Sequence, residues 1–186
     1  MIKHKTVRKA AQFAALAHSS IDHRRRYTFE PYIVHPASVA NTVSSVTDDY
    51  EMVSAAFLHD TIEDVHWVTL DLIRLEFGIR IATLVDELTD VSKQSDGNRA
   101  VRKNIDLKHT KLASPEAKTI KLADLIDNTK SIVEHAKSGF AYTYLKEKRL
   151  LLDVLKEGDA RLWNIANKQL KESIILLDKQ HNMLHN

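Results

Sequence analysis

The chain has no cysteine. That excludes disulfides, thiolate-held zinc and cysteine nucleophiles, and it suits a reducing compartment. Any metal must therefore be held through nitrogen and oxygen. Glycine and proline are scarce, four and three in 186 residues, and a domain of many short strands needs more turn residues than this. No apolar run approaches the ~20 residues that span a bilayer, and Met1-Ile2-Lys3-His4-Lys5 opens no secretory apolar stretch. Charge of one sign is also lacking, because 27 basic residues face 25 acidic ones and leave a net +2. So balanced a surface lacks the broad basic field of a nucleic-acid binder. The expectation is a soluble, cytoplasmic protein with neither membrane nor nucleic acid as partner.

What the chain does have is helical spacing. Ala, Leu, Ile, Lys and Glu recur at that period, with no convincing strand alternation and no repeat, which predicts an all-α fold. Its length suits one compact domain spanning 1–186, with a core over about 7–180. A first helix is predicted over Val7 to Ser19, with His18 on its inward face as a hydrogen-bonded core histidine. An interrupted loop with three consecutive arginines, Arg24-Arg25-Arg26, follows; such a run is either a solvated turn or a clamp for phosphate or a base. A second helix is predicted with Pro36 at its first position, and a third, capped by Asp48 or Asp49, runs to about His66. Thr69 caps a fourth over Leu70 to Glu76, closed by Gly78, and a fifth covers Ile79 to about Val91. Residues 92–98 read as a mobile loop and a candidate lid. Ser114-Pro115-Glu116 starts a further helix, and two more cover Tyr142 to Lys156 and Ala160 to Gln180, with Trp163 as core and a frayed tail from His181.

Two stretches carry chemistry. Ala55-Ala56-Phe57-Leu58-His59-Asp60-Thr61-Ile62-Glu63-Asp64 places a histidine and three carboxylates directly behind an apolar run. In one continuous helix His59 and Glu63 would share a face, as would Asp60 and Asp64. Buried carboxylates need a cation or a donor network, and His-Asp suits half of a metal's ligand set. On the later helix Lys121, Asp124 and Asn128 form one stripe, at i, i+3 and i+7.

His35-Pro36, then His59-Asp60, then Asp124 resembles the ordered ligand pattern of the HD-type metal-dependent phosphohydrolases. Pro31-Tyr32-Ile33-Val34-His35-Pro36, Phe57 to Asp64, Phe77-Gly78 and Lys121-Leu122-Ala123-Asp124 are similar to the hydrolase domain of RelA/SpoT-type alarmone enzymes. Specifically, the chain resembles the stand-alone small alarmone hydrolases, which include the metazoan SpoT homologue. It implies a compact helical HD-domain bundle in which His35, His59, Asp60 and Asp124 hold one Mn²⁺. It also implies water activation by Glu63 and Asp64, and substrate contacts from Arg24, Arg25, Tyr32, Lys121 and Asn128. The implied reaction converts a guanine nucleotide alarmone, (p)ppGpp, to GDP or GTP and pyrophosphate. The chain departs from the pattern at three points. Arg26-Tyr27 stands where a basic pair is usual, Phe29-Glu30 replaces a glycine before Pro-Tyr, and Asp127 stands where relatives commonly carry His or Tyr. Alternatives are the same chemistry on a nucleoside monophosphate or the 2′-phosphate of NADPH, a nucleotide-binding module without turnover, and a purely structural helical protein.

Overall fold

The structure, a computed structural model, describes residues 4–184, and the side chains of all of these except Ser138 and 180–184. Among the described residues it is all-α, with one isolated antiparallel bridge between Arg24 and Pro31 and no strand. In chain order the helices are α1 Lys5–Ser19, α2 Val34–Ser44, α3 Tyr50–Leu58, α4 Thr61–Asp64, α5 Leu70–Phe77, α6 Ile79–Leu88, α7 Arg99–Leu112, α8 Pro115–His135, α9 Ser138–Val154 and α10 Ala160–Leu184.

α3 is the axis of the domain. Met52 through Leu58 are all buried, because α1, α2, α6 and α8 pack around this one helix. Leu58, Ala55 and Ala56 have no exposure at all, and each large apolar side chain so buried contributes roughly 1.5–3 kcal/mol. α8 is the second buried helix, lying against α2, α6, α9 and α10. The polar residues that follow α3 and the middle of α8 thereby meet inside the bundle.

Local signals act where side chains can pay for helix ends. Asp49 caps α3 by accepting from the Glu51 and Met52 amides, Thr69 caps α5, and Ser114 caps α8 with Pro115 behind it. Gly78 takes φ 91° between α5 and α6, a backbone position that disfavours any side chain. Several local details differ from or add to the sequence reading. Pro36 is the third residue of α2 rather than the first, still within the turn whose amides have no helical acceptor. α6 stops at Leu88, short of Val91. Residues 92–98 contain a short 3-10 turn at Gln94–Asp96, and Asp106 accepts from both the amide and the hydroxyl of Ser92. The third helix breaks after Leu58: the Thr61 hydroxyl donates to Leu58 O at 2.7 Å, and His59 Nδ1 lies 2.9 Å from Ala56 O. Side chains thus take up carbonyls of the last helical turn. The tail continues helically to Leu184, and His185 and Asn186 lie outside the described residues.

α7 has no counterpart in the sequence reading. Asn98 caps it, but only Asp106 and Thr110 of its residues are fully buried, so no apolar stripe marks it.

Lys148 on α9 is 1% exposed, and its ammonium donates to Thr129 Oγ1 at 2.8 Å and Gln169 Oε1 at 2.9 Å. Burial lowers its pKa to about 7. Between that value and the unfolded lysine's, the unfolded chain binds a proton that the folded one lacks, so stability rises with pH across this window. Below pH 7 the penalty is fully present, on the order of 4 kcal/mol. We expect Lys148→Met to melt higher than the parent at pH 6 and to lose the rise in Tm between pH 7 and 9. Parallel Tm profiles for the two proteins would contradict this.

Candidate metal centre

His35 enters from the first turn of α2, His59 and Asp60 from the break after α3, and Asp124 from the middle of α8. Their ligand atoms converge. His35 Nε2 lies 3.2 Å from Asp124 Oδ1 and 3.5 Å from Asp60 Oδ2, and His59 Nε2 lies 3.1 Å from Asp60 Oδ2 and 3.8 Å from Asp124 Oδ1. Both Nε2 atoms are buried without a hydrogen-bond partner. Orphaned nitrogens facing two carboxylates fit a cation among them, since buried polar atoms otherwise find partners. Ligand atoms from His35, His59 and Asp124 all lie within 4.8 Å of one another.

The electrostatics point the same way. Burial opposes charge on His35, yet the carboxylates of Asp124, Asp127 and Asp60 around its ring raise it to about 11. Burial likewise opposes charge on His59, and the Asp60 and Asp124 carboxylates raise it to about 9. Asp60 and Asp124 are held well below the carboxylate range against their burial, Asp60 by His59 and His35, Asp124 chiefly by Lys121. These carboxylates call for positive charge between them, which a divalent cation held by the two imidazoles and two carboxylates would supply.

Asp127 explains one departure from the resembled pattern. Its Oδ2 lies 2.6 Å from His35 Nδ1 and accepts from Arg25 Nη2 at 3.4 Å. Arg25 Nη1 donates to Asn128 Oδ1 at 3.3 Å, and Asn128 Nδ2 donates to Asp124 Oδ1 at 2.6 Å. A ring of contacts therefore runs from one ligand, His35, through Asp127, Arg25 and Asn128 to another, Asp124. The extra acid lies behind the histidine and fixes its ring and tautomer. Asp127→Asn should weaken divalent-metal binding by about 10–100-fold at unchanged helicity; an unaltered Kd by calorimetry would contradict that role.

The remaining site residues separate. Tyr32 donates to Asp60 Oδ2 at 2.7 Å; burial and the Asp60 charge hold its phenol protonated. Lys121 lies 3.5 Å from Asp124 Oδ2 and stays charged despite burial, facing Asp124, Asp90 and Glu63. Glu63 accepts from the Asp90 amide at 2.7 Å. Burial raises Glu63 and Asp64 to about 7, with Asp90 and Asp60 adding to Glu63 and Asp60 to Asp64. Arg24 is directed elsewhere: it binds Asp22 and the Phe29 carbonyl within its own loop and is exposed, so only Arg25 of the predicted pair reaches the centre.

A cavity of about 520 Å³ opens on this cluster, floored by Tyr32, Asp60, Lys121, Asp124 and Asn128. Its far wall is built by residues the sequence reading passed over: Arg99 and Lys103 from α7, and Tyr144 and Lys148 from α9. The volume lies in the range that buries a nucleotide-sized ligand.

Paired buried histidines and aspartates on one helical scaffold define a metal-binding class, and comparison with known proteins agrees. The HD domain family model matches residues 10–146, and the chain belongs to that family. HD domains bind a divalent metal, and the histidines and Asp124 described above could hold one here. The human guanosine-3′,5′-bis(diphosphate) 3′-pyrophosphohydrolase MESH1 is 32% identical over 178 residues, an overlap covering 94% of each chain. The guanosine-3′,5′-bis(diphosphate) 3′-pyrophosphohydrolase of Aquifex aeolicus is 33% identical over 126 residues, which cover 68% of this chain but only 18% of that longer protein. Among solved structures, a metazoan orthologue of SpoT shares the fold with a TM-score of 0.82 at 24% identity, covering 92% of this chain and 97% of the other. No helix among the described residues is long and apolar enough to cross a membrane.

Proposed function

We propose that this protein is a Mn²⁺-dependent, cytoplasmic (p)ppGpp 3′-pyrophosphohydrolase, a single-domain enzyme releasing pyrophosphate and GDP or GTP. The observation that carries the reading is the pair of unpartnered Nε2 atoms of His35 and His59, aimed at Asp60 and Asp124 beneath a nucleotide-sized cavity. The similarity to human MESH1 along nearly the whole length of both chains supports the substrate.

When bound, the divalent ion supplies positive charge to the phosphoryl oxygens and acidifies water beside it. The chain's own residues do the rest. His35, His59, Asp60 and Asp124 form the cage, and Tyr32 orients Asp60 through its hydroxyl. Glu63 and Asp64 stand one turn beyond the cage with pKa values near neutrality, so each can accept a proton from attacking water at physiological pH. Attack at the 3′-linked phosphorus breaks its bond to the ribose 3′-oxygen, which leaves as the hydroxyl on receiving the proton that Glu63 or Asp64 took from the water. Lys121 and Arg25 neutralise charge on the phosphates, and Asn128 holds Arg25 and Asp124 in register.

Arg25→Ala should raise KM several-fold while lowering kcat less, because the guanidinium meets substrate in ground and transition states alike; an unchanged KM would remove Arg25 from the clamp. The substrate assignment is tested by product analysis across ppGpp, nucleoside monophosphates and NADPH. Intact pyrophosphate from ppGpp supports it, and orthophosphate release from the other nucleotides without turnover of ppGpp overturns it.

A further inference from the structure

Beside the HD centre lies a second group of ligand-bearing side chains. His18, 1% exposed on α1, faces His23 with their Nδ1 atoms 3.2 Å apart, and His23 Nδ1 lies 3.7 Å from Asp64 Oδ2. One ligand atom from each of the three lies within 4.8 Å of the others. The loop between α1 and α2 is bent to make this meeting. Asp22 and Phe29 both take left-handed backbone, φ 48° and 60°, at a cost of about 1–2 kcal/mol each for a side-chain-bearing residue. The His23 amide donates to His18 O, the Tyr32 amide donates to His23 O, and the His23 ring stacks on Tyr32 at 3.8 Å.

Donor type and spacing specify the ligand. Two imidazoles and one carboxylate are the protein set of open three-ligand zinc sites, and bonds of 2.0–2.1 Å in a tetrahedron place ligand atoms roughly 3.3 Å apart. The observed 3.2 and 3.7 Å bracket that edge. Burial pushes His18 down to about 4 and also lowers His23, so both rings are neutral at physiological pH with lone pairs to offer. Partial exposure of the His23 and Asp64 side chains, 25% and 32%, leaves an entry path and room for water as fourth ligand.

We propose that His18, His23 and Asp64 form a second divalent-metal site, selective for Zn²⁺-like cations, distinct from the HD centre. Occupancy ties the α1–α2 loop to α4. It thereby fixes Tyr32 and Arg25, which this loop carries, and it takes Asp64 as a ligand, leaving Glu63 as the sole proton acceptor.

The test is metal stoichiometry of metal-free protein after equilibrium dialysis against Zn²⁺, read by elemental analysis. The parent should retain two equivalents. His23→Gln, His35→Ala and Asp64→Asn should each retain one, the His23 and Asp64 variants keeping the equivalent that His35→Ala loses. Asp64→Asn changes a partly exposed side chain at a helix end and guards against misfolding of the histidine variants, whose helicity is checked by circular dichroism. One equivalent in the parent, abolished by His35→Ala, overturns the second site and leaves the HD centre standing. Two equivalents retained by folded His23→Gln and Asp64→Asn overturn it as well.

Discussion

Asp124→Ala should release the divalent metal and abolish turnover together. Asp124 Oδ1 faces His35 Nε2 and His59 Nε2 and accepts from Asn128 Nδ2, and Oδ2 faces Lys121. Its removal deletes a ligand and leaves buried cations without their counter-charge, which also costs stability, by about 3–5 kcal/mol for a broken buried pair. The loss of affinity should exceed the 10–100-fold expected from an outer partner such as Asp127. Asp124→Asn separates the two effects, because it keeps the shape and much of the hydrogen bonding while removing the charge. It should fold close to normally and still fail to retain metal. An Asp124→Asn protein with parental metal content would remove Asp124 from the cage.

Glu63→Ala should keep the metal and lose about 10²–10⁴ in kcat, the usual worth of general-base assistance. Glu63 is outside the cage, anchored through the Asp90 amide. Glu63→Gln retains an oxygen for that anchor but cannot accept a proton, so it should lose the same factor with no change in fold or metal content. The contrast with Asp124 is diagnostic: one residue holds the ion and the other moves the proton. Unchanged kcat in Glu63→Gln would transfer the base role to Asp64.

The all-helical class is legible in the chain from dense local signals, and the residues that converge at the centre through the ordered His-Pro, His-Asp and Asp pattern of the family it resembles. Caps such as Thr69 and Ser114-Pro115 lie beside strongly periodic apolar runs, and His59-Asp60 follows a run buried on every side. The break between α3 and α4 is not legible, since it arises from the Thr61 hydroxyl and the His59 ring taking helix carbonyls, which spacing alone does not reveal. α7 is hidden for the opposite reason: it buries a carboxylate and a threonine instead of an apolar stripe. The cavity wall it supplies therefore leaves no sequence signal, and neither does Lys148, a lysine in a core position whose hydrogen-bond partners come from α8 and α10. Asp127 reads as misplaced charge until the fold sets it behind His35. Pairings of this kind join residues about a hundred positions apart, and only tertiary structure brings them together.

The most direct measurement adds ppGpp to the metal-free protein, with and without Mn²⁺, and follows nucleotide and phosphate products by chromatography. Release of GDP and intact pyrophosphate only when Mn²⁺ is present is the expected result. No turnover from protein carrying one equivalent of Mn²⁺ at the His35, His59, Asp60 and Asp124 cage, or equal turnover without any metal, would contradict it.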